Sequence, residues 1–234
     1  MLVALAQRIR KKVYPLLNAE RARSVEGIAH SGDVTFQLDV VAEQEVESFF
    51  NETDIKLAYY TEDKGLVKKD TSPDWLLIID PIDGTRPAFS GFESAVVSIA
   101  LCPYSDNPTF KDITHAVILE LKTGNLFYGE AGNGVLLQSN DPFLSINPSR
   151  TCKLKLIRWS FEIVGRPVGW ITGKLGSLID LSSFKGSIYI FNSSAFALTR
   201  LLTGQLDAYI DITGGIVDDG NRTTHHTLSA CYHN

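Results

Sequence analysis

The chain is poor in sulfur: its 234 residues include three cysteines and a single methionine, Met1. Cys102, Cys152 and Cys231 are odd in number and fall in no ligand or redox motif. A disulfide framework is excluded, and the three read as reduced thiols of a cytoplasmic protein. Long apolar runs are missing too, which excludes a transmembrane helix of about 20 residues. Residues 1–6 are apolar but too few for a signal peptide, and the basic cluster Arg8, Arg10, Lys11 and Lys12 lies on the wrong side of them. A membrane-surface helix needs a larger apolar face, so these charges read as a solvated face. Nor is there an excess of positive charge: the net charge of −5 argues against a nucleic-acid-binding surface. What is present is ordinary for a soluble globular protein, with 44% hydrophobic and 21% charged residues, enough to bury a core without disulfides.

The stretch Trp75-Leu76-Leu77-Ile78-Ile79-Asp80-Pro81-Ile82-Asp83-Gly84-Thr85 organises the rest. Leu76 to Ile79 is continuously apolar and predicts a strand buried on both faces, stopped by the Pro and Gly that follow. Ligands of α/β-type sheets sit outside strand ends, so two carboxylates leave the sheet where chemistry is usual. Pro81 fixes the turn, and Gly84 permits a tight bend and close approach of a ligand. Asp80 and Asp83 are then expected to point into one space, with the Ile82 carbonyl between them as a neutral oxygen donor. No Lys or Arg balances the pair before Arg86. A hard divalent cation such as Mg²⁺, which takes oxygen ligands, would do so. The Gly84 and Thr85 amides suit an anion if a helix or turn begins there. A Pro-Gly turn with solvated acids would also account for D-P-x-D-G on turn chemistry alone.

In chain order, Leu2, Leu5, Ile9, Val13 and Leu16 recur at helical spacing, with Pro15 set to kink or divide the helix. Residues 33–38 read as a short strand, and Asp39 is placed to cap the helix carrying Ala42, Val46, Phe49 and Phe50. Leu57 to Tyr60 is a strand ending in Thr61-Glu62-Asp63, and residues 64–73 read as a charged loop. Strands are expected over 94–101 and 113–121, then a hairpin through Leu126-Phe127-Tyr128 and Val135-Leu136-Leu137. The glycines between those two fit G-x-x-G-x-G, but no strand-to-helix crossover follows, so they are turn residues. Residues 139–149 form a linker. Beyond it, 153–159 reads as a strand, 165–186 is too glycine-rich to assign, and 187–191 is a short strand. Ser193 caps a helix to Thr203, and 206–211 is a strand. No apolar periodicity is left after 218, and His225, His226 and His233 read as part of a polar tail.

Asp-Pro-Ile-Asp-Gly-Thr after a strand resembles the signature of the inositol monophosphatase family, the Mg²⁺-dependent, lithium-sensitive phosphatases of small molecules. Other segments resemble the family too: Asp39 before the second helix, Glu62 at a strand end, and Asn192-Ser193-Ser194-Ala195 followed by Gly204 and Asp207-Ala208-Tyr209. The resemblance covers residues 1–218. It implies an α+β fold, a layered αβαβα sandwich of the sugar-phosphatase type, here incomplete at the C-terminus. The expected parts are a subdomain 1–145 carrying the metal site, a substrate-side subdomain 146–218 and an irregular tail 219–234.

The same resemblance implies two or three Mg²⁺ ions held by Glu62, Asp80, the Ile82 carbonyl, Asp83 and Asp218. Glu62, Thr85 and Asp39 are the implied catalytic residues: Glu62 helps deprotonate the attacking water, and Thr85, held by Asp39, orients it. Asp83, Gly84, Thr85, Ser193, Ser194 and Asp211 are the implied substrate contacts. Asp218 departs from the family's pattern, since Asp219-Gly220-Asn221 follows where a helix is usual; the second metal is therefore expected to bind weakly. Thr61-Glu62-Asp63-Lys64-Gly65-Leu66 and Tyr209-Ile210-Asp211 look closer to the archaeal-type branch, which is known for acting on inositol phosphate and on fructose 1,6-bisphosphate. A 3′(2′),5′-bisphosphate nucleotidase and a truncated remnant without turnover are the alternatives. Arg86-Pro87 replaces the family's usual Thr-Asn or Phe-Asn and leaves the substrate open. A small phosphorylated substrate is implied, a homodimer is compatible with the family, and neither nucleic acid nor membrane is expected as a partner.

Overall fold

The computed structural model describes residues 1–19, 24–28, 34–164, 167–211, 217–218 and 222–223. Helix α1 (Leu2–Val13) buries Leu2, Leu5, Ala6, Ile9 and Val13 along one stripe. Pro15 has no N–H to continue the ladder, and the chain tightens into a 3-10 turn over Tyr14–Leu16. Strands β1 (Val25–Ile28) and β2 (Val34–Phe36) form a small antiparallel pair. Helix α2 (Gln37–Glu52) begins directly after β2, so Gln37 and Leu38 belong to it rather than to a longer strand.

A seven-stranded sheet, in the order β4-β3-β5-β6-β7-β8-β9, forms the body of the molecule. Its strands are β3 (Leu57–Thr61), β4 (Gly65–Lys68), β5 (Trp75–Asp83), β6 (Val96–Pro103), β7 (His115–Glu120), β8 (Leu126–Glu130) and β9 (Gly134–Gln138). β3 and β5 run parallel, and every other neighbouring pair is antiparallel. The stretch expected as a charged loop after Asp63 contains β4. Its lysine-bearing sequence suits the edge of a sheet, where charge blocks further pairing. Short α3 (Thr85–Ser90) follows β5.

Leu77 and Ile79 of β5 face α1 and α2, together with Leu5, Ile9, Leu38 and Val46. Leu76 and Ile78 face the opposite layer, which includes Ala195, Phe196 and Leu202 of α5 (Ser194–Leu202). α5 also meets β12 (Ala208–Ile210), an edge of a parallel three-stranded sheet ordered β11-β10-β12. In that sheet, β10 is Arg158–Phe161 and β11 is Ser187–Tyr189. The strand expected over 153–159 is thus displaced, with a 3-10 turn over Leu154–Leu156 in front of it. The glycine-rich stretch left unassigned contains α4 (Val168–Ser183), which packs Ile171, Leu175, Leu178 and Ile179 on Trp159 and Phe161. The succession α1/α2, large sheet, α5, small sheet, α4 is the expected αβαβα sandwich.

Beyond Asp211, β13 (Val217–Asp218) pairs antiparallel with β14 (Arg222–Thr223), a short ladder inside the stretch expected to be irregular. The backbone of Asp218 is in β13; its side chain, the three tail histidines and Cys231 lie outside the described residues. Cys102 is buried and Cys152 exposed, both as free thiols. Among the described residues, no helix is long and apolar enough to cross a membrane.

Candidate active site

The signature stretch forms the site through a break in register. β5 pairs with β6 residue by residue from Trp75↔Pro103 to Asp80↔Ser98, then resumes at Asp83↔Val96. Three steps on β5 match two on β6, so one extra residue is accommodated beside Pro81, which has no N–H for the ladder. The extra residue reverses the alternation. Ile82 therefore faces the α1/α2 layer and Asp83 the α5 layer, the opposite of an unbroken strand. This corrects the expectation that the strand ends at Ile79, and it seats the Asp83 carboxylate against the start of α5.

Asp80 lines a cleft together with Asp39, Glu43, Glu62, Asp63, Ile82, Thr85 and Arg86. Its Oδ1 accepts from the Ile82 amide at 3.0 Å, a local turn that fixes the carboxylate at the cleft wall. Thr85 Oγ1 donates to Asp39 Oδ1 at 2.7 Å, with the Ile82 carbonyl a more distant acceptor at 3.2 Å. Asp39 Oδ2 accepts from the Phe36 amide at 2.8 Å. Asp39 is thus the third residue of α2 and reaches back to the helix start, rather than being the N-cap itself. Thr35 Oγ1 donates to Asp63 Oδ1 at 2.7 Å and ties β2 to the cleft rim.

The Asp83 carboxylate is engaged on the α5 side. Its Oδ2 accepts from Ser193 Oγ at 2.8 Å and from the Ala195 amide at 2.6 Å, at the N-terminus of α5. Ser193 is the cap of that helix, as expected, and accepts from the Phe196 amide at 3.3 Å. Ser194 Oγ meets Tyr209 Oη at 2.6 Å. Both serine hydroxyls are therefore engaged within the fold. Asp211 follows β12 and is half-buried. Gly84 is the junction of the two neighbourhoods: its φ is +92°, and a Cβ there would stand 2.5 Å from the Ser94 carbonyl oxygen and 2.9 Å from Ser193 Cβ. Only glycine fits.

Burial pushes the Asp39 carboxyl up to about 7, against the pull of its Phe36 and Thr85 donors and with the charges of Asp63 and Asp80 adding to the rise. Burial likewise pushes Glu43 up to about 7, again with Asp63 and Asp80 adding to it. The neighbouring Thr61 hydroxyl eases that shift. Even so, neither buried oxygen of Glu43 has a hydrogen-bond partner of acceptable geometry. Glu43 escaped the reading of the sequence. The signal was its spacing: four residues after Asp39 on a helix puts both on one face.

Five carboxylates and one carbonyl, against the single basic side chain of Arg86, line this cleft. Such an oxygen-only set suits a hard divalent cation, and the orphaned Glu43 oxygens mark a place where positive charge or donors are owed. Among the described residues no three acidic, His or Cys side chains already converge as a closed ion cage. Glu62, Asp80, Ile82, Thr85 and Asp39 are brought to one cleft; Asp83, Ser193 and Ser194 are gathered instead at the start of α5.

A model of the inositol monophosphatase family matches residues 2–218. The bifunctional NADP phosphatase/NAD kinase of Methanococcus maripaludis is 26% identical over 223 residues, covering 91% of this chain and 38% of that protein. This chain therefore spans well under half the length of that relative. The fructose-1,6-bisphosphatase/inositol-1-monophosphatase of Methanothermobacter thermautotrophicus is 22% identical over 216 residues, covering 90% of this chain and 73% of that protein. Among solved structures, the extragenic suppressor protein suhB of Bartonella henselae superposes with a TM-score of 0.71 at 21% identity, covering 93% of this chain and 79% of that one.

Proposed function

The chain belongs to the inositol monophosphatase family, and from that membership we propose that it hydrolyses a small phosphate monoester in the acidic cleft, with Mg²⁺ as cofactor. The observation that carries the reading is the Thr85–Asp39 hydrogen bond at the wall of a cleft lined by five carboxylates. Glu62, Asp80 and the Ile82 carbonyl would hold an ion there, with Asp83 from the α5 side and Asp218 from β13 serving a second position. Bound Mg²⁺ would supply Lewis-acid polarisation of the phosphoryl group and a lowered pKa for water.

The side chains have separable tasks. Thr85 has one hydroxyl proton, and it is directed at Asp39 at 2.7 Å. A water beside Thr85 must then donate to it, which turns the water's own lone pair away from Thr85 and toward a phosphorus atom. Asp39, anchored by the Phe36 amide, holds Thr85 in that orientation. Glu62 lines the same cleft and accepts the water's second proton. Arg86 presents the cleft's positive side chain to a dianionic ester. Asp83, bridging β5 to α5, fixes the distance between this machinery and the segment 193–211 that we infer to be the substrate side. The division into subdomains 1–145 and 146–218 follows from that assignment.

For the substrate, the names carried by relatives point to inositol monophosphate, fructose 1,6-bisphosphate and the 2′-phosphate of NADP. Phosphate release from these three, and from 3′-phosphoadenosine 5′-phosphate, should be measured with Mg²⁺ and with chelator. Release from at least one, abolished by chelator, is expected. Equal release with and without chelator, or none from any ester, would overturn the reading and leave a binding remnant.

A further inference from the structure

Glu43 lies one helical turn beyond Asp39 on α2 and lines the same cleft. It is 4% exposed, and neither carboxylate oxygen has a hydrogen-bond partner. Its neighbours in the cleft are mostly acids, which as carboxylates accept and cannot donate. The Thr85 hydroxyl, a donor on the wall, is directed at Asp39. The Thr61 hydroxyl eases the burial of the carboxylate and Arg86 lines the cleft, but neither reaches a Glu43 oxygen in hydrogen-bond geometry, and the rest of the lining offers mostly acceptors. A hydrated divalent cation brings what is missing, because each of its waters carries two protons and Mg²⁺ keeps several of them when bound.

We propose that Glu43 is a positioning residue of the cation site: it accepts hydrogen bonds from the water shell of the ion held by Glu62, Asp80 and the Ile82 carbonyl. The inference rests on the reading of the cleft as a Mg²⁺ site. It adds an acid from α2 to a set otherwise supplied by the ends of β3 and β5. Groups of this kind, one step removed from the ion, orient its ligands, and their loss commonly weakens metal affinity 10–100-fold, on the order of tenfold for one water-mediated contact.

The test uses the full chain and two readouts that do not depend on turnover: calorimetric titration with Mg²⁺, and the thermal midpoint with and without Mg²⁺. Glu43→Gln keeps the shape and removes the charge. The expected result is Mg²⁺ affinity reduced roughly tenfold, a metal-free midpoint equal to or above that of the parent, and a smaller rise on adding Mg²⁺. Parent-like affinity in the variant overturns the inference while leaving the metal site intact. A lowered metal-free midpoint with parent-like affinity does the same and makes Glu43 a packing residue. No Mg²⁺ binding by the parent overturns the reading of the cleft as a whole. Should Glu43→Gln fail to fold, Glu43→Asp keeps the charge and withdraws it by one methylene. The same loss of affinity is expected there, and parent-like affinity would again overturn the proposal.

Discussion

On the α5 face of the large sheet, Glu120 is 1% exposed yet ion-paired with Arg200, and it also accepts from Asn125 Nδ2 at 2.8 Å and from the Thr123 hydroxyl. Asp83 on that face is met by a serine hydroxyl and a helix amide. On the α2 face, Glu43 is almost as buried and has no hydrogen-bond partner, and Asp39 has two donors and is still pushed up to about 7. The chain can surround a buried acid with donors, as it does at Glu120. The deficit at the cleft is the one that the proposed cation and its waters would offset. Acids displaced from their ordinary range in a concave site are where chemistry is expected; an acid paired within the core, as Glu120 is by Arg200, Asn125 and Thr123, is scaffold.

The largest effect should come from removing a donor on the satisfied face. Arg200→Ala leaves Glu120 buried without its ion partner and strips the guanidinium from the Phe196 ring, 4.4 Å from its centroid. A loss of about 3–5 kcal/mol is expected in urea unfolding. The double variant Glu120→Gln/Arg200→Met should recover most of it. A loss below about 1 kcal/mol, the range of exposed ion pairs, would break the comparison. Next comes Thr85→Ala on the cleft side. It should lower kcat on the order of 10²-fold with little change in KM or in unfolding midpoint; unchanged kcat would reduce Thr85 to the start of α3. Third is Ser193→Ala, which removes the cap of α5 and a donor to Asp83. About 1–2 kcal/mol of stability should go, with Ser193→Thr retaining most of it.

Much of this arrangement is legible in the sequence, and the parts that are not have physical reasons. α1 and α5 follow from apolar residues at helical spacing, and Ser193 from its place before Ala195 and Phe196. α4 is hidden because Gly169, Gly173 and Gly176 weaken helix propensity; burial of Ile171 and its neighbours overrides them. β4 is hidden by its position at the sheet edge, where polar residues are favoured. The destination of Asp83 depends on counting residues on β6 as well as β5, because a bulge is a mismatch between two strands and is not written in either alone. Glu43 is hidden because a glutamate in a helix is ordinarily solvated. Only the packing of α2 on β5 shows that this one is enclosed.

The last effect is the pH dependence of the metal-free protein, spread over two acids rather than lodged in one contact, and its sign is the sharpest test of the comparison. Asp39 and Glu43 have ordinary values of 3.8 and 4.5 and are each pushed up to about 7 in the fold, chiefly by burial. Between about 4 and about 7 the folded state therefore holds protons that the unfolded chain has released. Stability falls as pH rises through that window, because the unfolded state binds fewer protons. One pH unit is worth at most about 1.4 kcal/mol for each group, and less for two groups that share a field. Metal-free protein should accordingly unfold at higher urea at pH 5.5 than at pH 7, to a degree diminished in Glu43→Gln. Added Mg²⁺ competes with those protons for the same oxygens and should flatten the slope, since the loaded site stabilises the ionised acids. Acids satisfied by donors behave oppositely. Arg158 holds the Asp207 carboxyl below its usual range, so that group favours the folded state above its ordinary pKa and loses this contribution only on acidification. If metal-free stability instead rose between pH 5.5 and 7, the cleft acids would be ionised and compensated, and the two faces of the sheet would not differ in kind.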